Sequence, residues 1–258
     1  MTPRQALRAA SSRRVDLLPM TPVQQLRAGR LWHRVAQLLV GLWLYGTAMA
    51  MFIRSGLGLD PWDVFHAGIQ QHWGVSFGTV VIVVGFAVLL LWIPLRQWPG
   101  LGTVLNAIVI GIATDTMLDV LGPGHGLVSR WSLLLGGILV NGFAGALYIG
   151  AQLGPGPRDG LMTGLARRTG RSLRLVRTSL ELTVLVVGWL LGGTVGIGTL
   201  LYAVLIGPTV QLFLPMVTVR VDPPDPVDVT SRDERLPDAA RSVSAEGLTS
   251  AVDGQGEG

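Results

Sequence analysis

The chain of 258 residues is 49% hydrophobic and only 14% charged, with a mean hydropathy of +0.50 and a formal net charge of +4. Cysteine is absent, which excludes disulfides, thiolate catalysis and cysteine-held metals. Lysine is absent as well, so there is no P-loop lysine, Schiff-base lysine or pyridoxal site.

Residues 1–30 are polar and basic, with Arg4, Arg8, Arg13, Arg14, Arg27 and Arg30 against Asp16 alone. Thr21-Pro22 has the form of a helix start, threonine as cap and proline at the first helical position. The first apolar stretch begins near Leu31 and has the length of a full span without a small-residue cleavage pattern, so it is expected to remain as an anchor. A hydrocarbon core ~30 Å thick takes about 20 apolar residues per helix. Six tracts meet that requirement, over 34–53, 77–95, 101–121, 131–151, 174–192 and 197–217. The fifth is the weakest, because Arg174, Arg177 and Glu181 occupy its first two turns. Beyond 219 the chain turns acidic and rich in Pro, Ser and Gly, the composition of a disordered tail. Arginine placement sets the orientation. The 1–30 segment and the 152–173 loop hold most of the arginines near the spans, so both are predicted cytoplasmic, as is the tail. The 54–76 loop is then outside.

Shifted by 96 residues without a gap, the chain matches itself. Leu57, Gly58, Pro61, Asp63, Gly68, Gly74, Ser76 and Val80 fall on Leu153, Gly154, Pro157, Asp159, Gly164, Gly170, Ser172 and Val176. Gly41, Gly46, Ala48, Ala50 and Ile53 extend the match upstream, and Gly100, Gly102 and Thr103 fall on Gly196, Gly198 and Thr199 downstream. Each unit holds three spans, an odd number, so the second must be upside down. Inverted repeats of this kind characterise many secondary transporters, with sites where the repeats meet. The same duplication could also serve only to build a stable bundle.

The densest shared motif follows the first span of each unit: Gly58-Leu59-Asp60-Pro61-Trp62-Asp63 and Gly154-Pro155-Gly156-Pro157-Arg158-Asp159. Pro61 and Pro157 suit a first helical turn, and Asp63 and Asp159 then lie where carboxylates meet free N–H groups and the positive dipole end. Plain helix capping accounts for both aspartates; a ligand site is the alternative. Ser76 and Ser172 read as caps of the following spans. The segments 61–73 and 157–169 are too short to cross and are expected to be interfacial or re-entrant.

With Gly56-Leu57-Gly58, Pro61-Trp62-Asp63, Gly74-Val75-Ser76-Phe77-Gly78, Leu105-Asn106-Ala107, Gly111 and Asp115, the chain resembles the YczE/YyaS/YitT-type bacterial integral membrane proteins over about 32–215. The resemblance implies a bacterial plasma-membrane location and supplies no substrate or site residues. Arg158 stands where the first copy has Trp62, so the two halves are not functionally equivalent.

An ionisable group inside a span costs ~2.5–3.5 kcal/mol on insertion scales and normally faces a cavity or a partner. Asp115 and Glu181 are therefore the candidate substrate-binding or ion-coupling residues, with Asn106 and Asn141 beside them. Arg177 and Glu181, four residues apart, could instead simply pair, and the asparagines could be interhelical glue. His33, His66, His72 and His125 lack metal-ligand spacing, and no Walker motif or G-x-S-x-G elbow is present. No catalytic residue set, metal or cofactor is therefore expected.

The expected architecture is all-α and membrane-integral, six transmembrane helices forming two inverted three-helix repeats. Its parts are a basic cytoplasmic segment at 1–30, repeats at 31–122 and 127–218, and a disordered cytoplasmic tail at 219–258. The expected function is a secondary transporter or membrane small-molecule binding protein and not an enzyme. The alternative is a non-transporting scaffold or accessory protein supporting another membrane or biosynthetic system. The implied partners are the lipid bilayer and a small molecule, with a second copy of the chain or a partner ATPase left open and nucleic acid excluded.

Overall fold

The computed structural model describes residues 20–221, and all regular structure within them is helical. In chain order the helices are α1 Pro22–Arg27, α2 Leu31–Ser55, α3 Pro61–Trp73, α4 Phe77–Trp92, α5 Leu101–Val120, α6 Gly126–Gly150, α7 Pro157–Thr169, α8 Leu173–Leu190 and α9 Ile197–Val217. Most of the basic segment and residues 222–258 lie outside the described residues. Val219, assigned to the tail from sequence, is instead tied to the bundle: its N–H donates to the Gly150 carbonyl at 3.0 Å, and its side chain is buried.

Local chemistry sets the helix ends. Thr21 caps α1 through a capping box with Gln24. Pro61 and Pro157 open α3 and α7, and Gly74 and Gly170 close them at φ 66°. Ser76 and Ser172 accept from Thr79 N and Leu175 N at the starts of α4 and α8. Helix α4 stops at Trp92; Ile93 keeps helical geometry, but Pro94 has no N–H with which to continue the ladder to Leu90 O.

Four helices are long and apolar enough to cross a membrane: α2, α5, α6 and α9. Helices α3 and α4 count as a fifth span only as a pair, bent by 113°. By length and composition the described residues thus give four or five of the six expected spans, for two reasons. Helix α4 is cut to 16 residues by Pro94, and α8 has 18 residues with Arg174, Arg177 and Glu181 in its first half. Large apolar side chains such as Leu139, Leu200, Val204 and Leu212 stand exposed on the outer surface, a pattern that soluble monomers avoid and a lipid environment requires.

The long helices α2 and α6 pack along each other, α5 lies against α2, and α9 lies against α6. Helix α3 packs on α8, while α4 packs on α5 and α7. Small residues permit the close approach: a Cβ on Gly46 would lie 2.6 Å from Ala113 Cβ, and one on Gly142 would lie 2.7 Å from Thr209 Cβ. The starts Pro61, Phe77 and Leu101 recur at Pro157, Leu173 and Ile197, each 96 residues on.

Several contacts come in reciprocal pairs. Gly198 N–H donates to Leu57 O at 2.8 Å, and Gly102 N–H donates to Leu153 O at 2.8 Å. Arg34, at the start of α2, donates to the carbonyls of Ala151 and Gln152 at 2.8 and 2.6 Å, just past the end of α6. Arg130, at the start of α6, donates to those of Ser55 and Gly56 at 2.7 and 2.6 Å, at the end of α2. The two helices therefore run antiparallel. Each guanidinium meets carbonyls left free at a helix C-terminus, where the macrodipole also favours a cation.

Candidate functional site

Asp60 is the N-cap of α3, and its Oδ1 accepts from Trp62 N at 2.9 Å and Asp63 N at 3.0 Å. The capping predicted for Asp63 thus belongs to Asp60, three residues earlier, where the backbone is still extended and the side chain can reach back. Asp63, freed from that task and fully buried, contacts His66 Nδ1 at 3.2 Å. At the equivalent place α7 has Gly156, which offers no side-chain cap, and Asp159 accepts from the Tyr148 hydroxyl at 2.6 Å. Trp92 fixes the start of α7. Its indole N–H donates to Pro157 O at 3.0 Å, and its ring fills the space over Gly160.

These two helix starts and the flanks of α2, α5, α6, α8 and α9 enclose a cavity of ≈ 100 Å³. Asp60, Trp62, Arg158 and Asp159 line it, with Asn106 from α5 and Glu181 from α8. Three tyrosines, Tyr45, Tyr148 and Tyr202, complete the wall, and Tyr202 donates to Asn141 Oδ1 at 3.2 Å. Arg158 Nη1 lies 3.9 Å from Asp60 Oδ1 and Nη2 lies 3.9 Å from Asp63 Oδ1, with the guanidinium carbon 5.3 Å from the centre of the Trp62 ring. Attraction at that distance is about 4 kcal/mol per pair at an effective dielectric of ≈ 20, before the cost of desolvation. The separation exceeds a charge-assisted hydrogen bond by about 1 Å. Among the described residues, Asp60 Oδ2, Asp63 Oδ2, Trp62 Nε1 and Asn141 Nδ2 are buried without a hydrogen-bond partner. Orphaned polar atoms on the cavity wall (Asp60, Trp62) and directly behind it (Asp63, Asn141) call for an explanation, since most buried groups of this kind are satisfied.

Of the sequence-predicted residues, Pro61, Trp62, Arg158, Asp159, Asn106 and Glu181 line this one cavity. Asp63 lies in contact behind it, Asn141 reaches it through Tyr202, and Pro157 anchors Trp92. Glu181 is held by Arg177 Nε at 2.9 Å, the pairing expected from their spacing. Asp115 is elsewhere. Its carboxylate accepts from Ser76 Oγ at 2.5 Å and Gly78 N at 2.7 Å, so it caps α4 from the neighbouring helix α5. Asp115 and Glu181 therefore do not flank one site. Among the described residues no three His, Asp or Glu side chains gather as a metal centre.

Sequence reasoning passed over Asp60 as a site residue, the three tyrosines and Arg34. A signal existed for some of them. At the 96-residue shift Tyr45 falls on Asn141, Asn106 on Tyr202 and Arg34 on Arg130, polar residues recurring where lipid-facing positions would be apolar.

Apolar helices of crossing length around a polar cavity define a helical membrane protein. The chain belongs to a family of unknown function, DUF6198, whose model matches residues 32–215. It is 41% identical over 206 residues to an uncharacterised protein of Haemophilus influenzae, covering 78% of this chain and 93% of the relative. It is 37% identical over 166 residues to the uncharacterised membrane protein YczE of Bacillus subtilis, covering 62% of this chain and 75% of the relative. Identity to YyaS, an uncharacterised protein of the same organism, is 28% over 182 residues, covering 69% of this chain and 90% of that protein. No solved structure matches the chain.

Proposed function

We propose that the protein is a multi-pass plasma-membrane transporter or binder of a small polar molecule, not an enzyme, built from two inverted three-helix repeats with the cavity where they meet. One observation carries the reading. The cavity is lined by the equivalent motifs of both halves, Asp60-Pro61-Trp62 and Gly156 with Arg158-Asp159, each at the start of a short helix. Discontinuous helices whose ends meet at a polar cavity are how secondary transporters hold substrate away from lipid. The reciprocal bonds of Leu57 with Gly198 and Leu153 with Gly102, and of the two arginines, support an internal two-fold relation. In this reading the 16-residue α4 with α3, and α8 with α7, each complete a crossing as a broken span. Both termini then face the cytoplasm.

Topology tests the architecture, because the chain has no cysteine of its own. Gln71 and Thr169 are both exposed, near the ends of α3 and α7. Gln71→Cys should react with an impermeant maleimide in intact cells, and Thr169→Cys only after permeabilisation. Equal reaction of both in intact cells sinks the inverted arrangement. For the site, the purified protein is screened by thermal shift against small polar metabolites. A saturable stabilisation lost in Arg158→Gln and Asp60→Asn is expected. If no compound stabilises it, the scaffold alternative stands.

A further inference from the structure

Resting on that small-molecule reading, we infer that the cavity takes a protonated amine of only a few heavy atoms, held by the carboxylates of Asp60 and Asp159 that line it, against the Trp62 and tyrosine rings.

The charge balance points this way. Arg177 and Glu181 neutralise each other at 2.9 Å. What is left is Asp60 and Asp159 on the cavity wall, with Asp63 behind it against His66, facing the single guanidinium of Arg158. Asp159 is met by a neutral tyrosine hydroxyl, not by a cation. Arg158 stands 3.9 Å from each of two aspartates, so it compensates them without filling their lone pairs. Asp60 and Asp63 are 2% and 0% exposed, and the Oδ2 atom of each has no hydrogen-bond partner among the described residues. Buried carboxylate oxygens in that state ask for donors that carry positive charge.

The walls agree. Tyr45, Tyr148, Tyr202 and Trp62 present aromatic rings to the cavity, and Arg158 already lies over the Trp62 ring, so that face accepts a cation. Unfilled acceptors favour an ammonium with N–H bonds over a quaternary one, which has none to give. Size sets the limit. A cavity of ≈ 100 Å³ is smaller than the ~150 Å³ that admits benzene. An anion finds the opposite of a welcome: the uncapped start of α7 carries its own acid, and Asp159 Oδ2 lies 3.4 Å from where a Gly156 Cβ would stand.

The full chain, purified in detergent, is melted with methylamine, ethylamine and propylamine hydrochlorides. Tetramethylammonium chloride, sodium acetate and glycine run in parallel, with sodium chloride matching the ionic strength. The short primary amines should raise Tm saturably beyond the salt control, and tetramethylammonium should do so weakly or not at all. Asp60→Asn should weaken the apparent amine affinity by about tenfold or more, the loss of one charged hydrogen bond. Asp119→Asn, an exposed carboxylate away from the cavity, should leave it unchanged. Where Asp60→Asn yields no folded protein, Asp159→Asn carries the same expectation. Stabilisation by acetate or glycine but not by amines overturns the amine assignment and leaves the small-molecule reading intact. Amine stabilisation equal in Asp60→Asn and the parent overturns the assignment of the site. No shift with any compound here or in the wider metabolite screen overturns both.

Discussion

Arg34 and Arg130 make the most quantitative test of the bundle. Arg34 is fully buried and donates three hydrogen bonds: Nε to Ala151 O at 2.8 Å, Nη1 to Gln25 O at 2.6 Å and Nη2 to Gln152 O at 2.6 Å. Arg130 donates two, and its Nη2 contact is exposed. Methionine keeps much of the stem and removes every donor. A hydrogen bond to a charged group contributes ~1.5–3 kcal/mol, and the loss is partly offset because no guanidinium is then buried. Arg34→Met should cost roughly 3–5 kcal/mol and Arg130→Met about 1–2 kcal/mol, since water reaches the carbonyls that Arg130 leaves. At ~2–4 °C per kcal/mol for a chain of this size, Tm falls by roughly 8–15 °C and by about 3–6 °C. The eight tryptophans supply a fluorescence signal for melting in detergent. Arg34→Lys should fall between parent and Arg34→Met, because an ammonium supplies the charge without the planar fork. A Tm for Arg34→Met within about 2 °C of the parent, or a larger fall for Arg130→Met, refutes the reciprocal capping argument.

Gly58→Ala and Gly154→Ala share the strain of φ +121° and +115°, about 1–3 kcal/mol, but a Cβ at Gly58 would lie 2.7 Å from Gly196 N whereas one at Gly154 lies 3.0 Å from the Thr103 hydroxyl. Gly58→Ala should therefore be the less stable by thermal melting, and the reverse order would show that packing at the two loops is not as described. Asp115→Ala removes both acceptors from the start of α4 and should cost roughly 2–3 kcal/mol, while leaving amine-induced stabilisation at the cavity unchanged. Loss of ligand response in Asp115→Ala that is as stable as the parent would return Asp115 to the site.

The parts of this fold that were legible in the sequence are the ones that local chemistry decides. Pro61 and Pro157 open helices, Ser76 and Ser172 cap them, and Arg177 meets Glu181 one turn on. The cavity was legible only through its motif residues. Tyr45, Tyr148 and Tyr202 come from three helices far apart in the chain, and a tyrosine on an apolar helix leaves the hydropathy pattern undisturbed. The depth of Asp115 in its span does not reveal what it bonds to. Its actual partner, the broken junction between α3 and α4, is created by the 113° bend, which periodicity does not report. Hydropathy over a window likewise cannot see where a short helix turns back, so four helices, or five with the bent pair counted as one, have the length and composition of a span.

The bond between Leu57 O and Gly198 N also orders events during synthesis. The turn after α2 emerges from the ribosome early, yet the Leu57 carbonyl finds its donor only when Gly198, in the first turn of α9, arrives 141 residues later. At ~5–20 residues per second that is an interval of roughly 7–28 s. Through that time the nascent chain must shelter an unclosed turn, with Asp60 and Asp63 facing no Arg158 until residue 158 arrives. A stall or truncation ahead of Ile197 leaves the Leu57 carbonyl without the donor it has in the closed bundle, while α5 and α6 can already pack on α2.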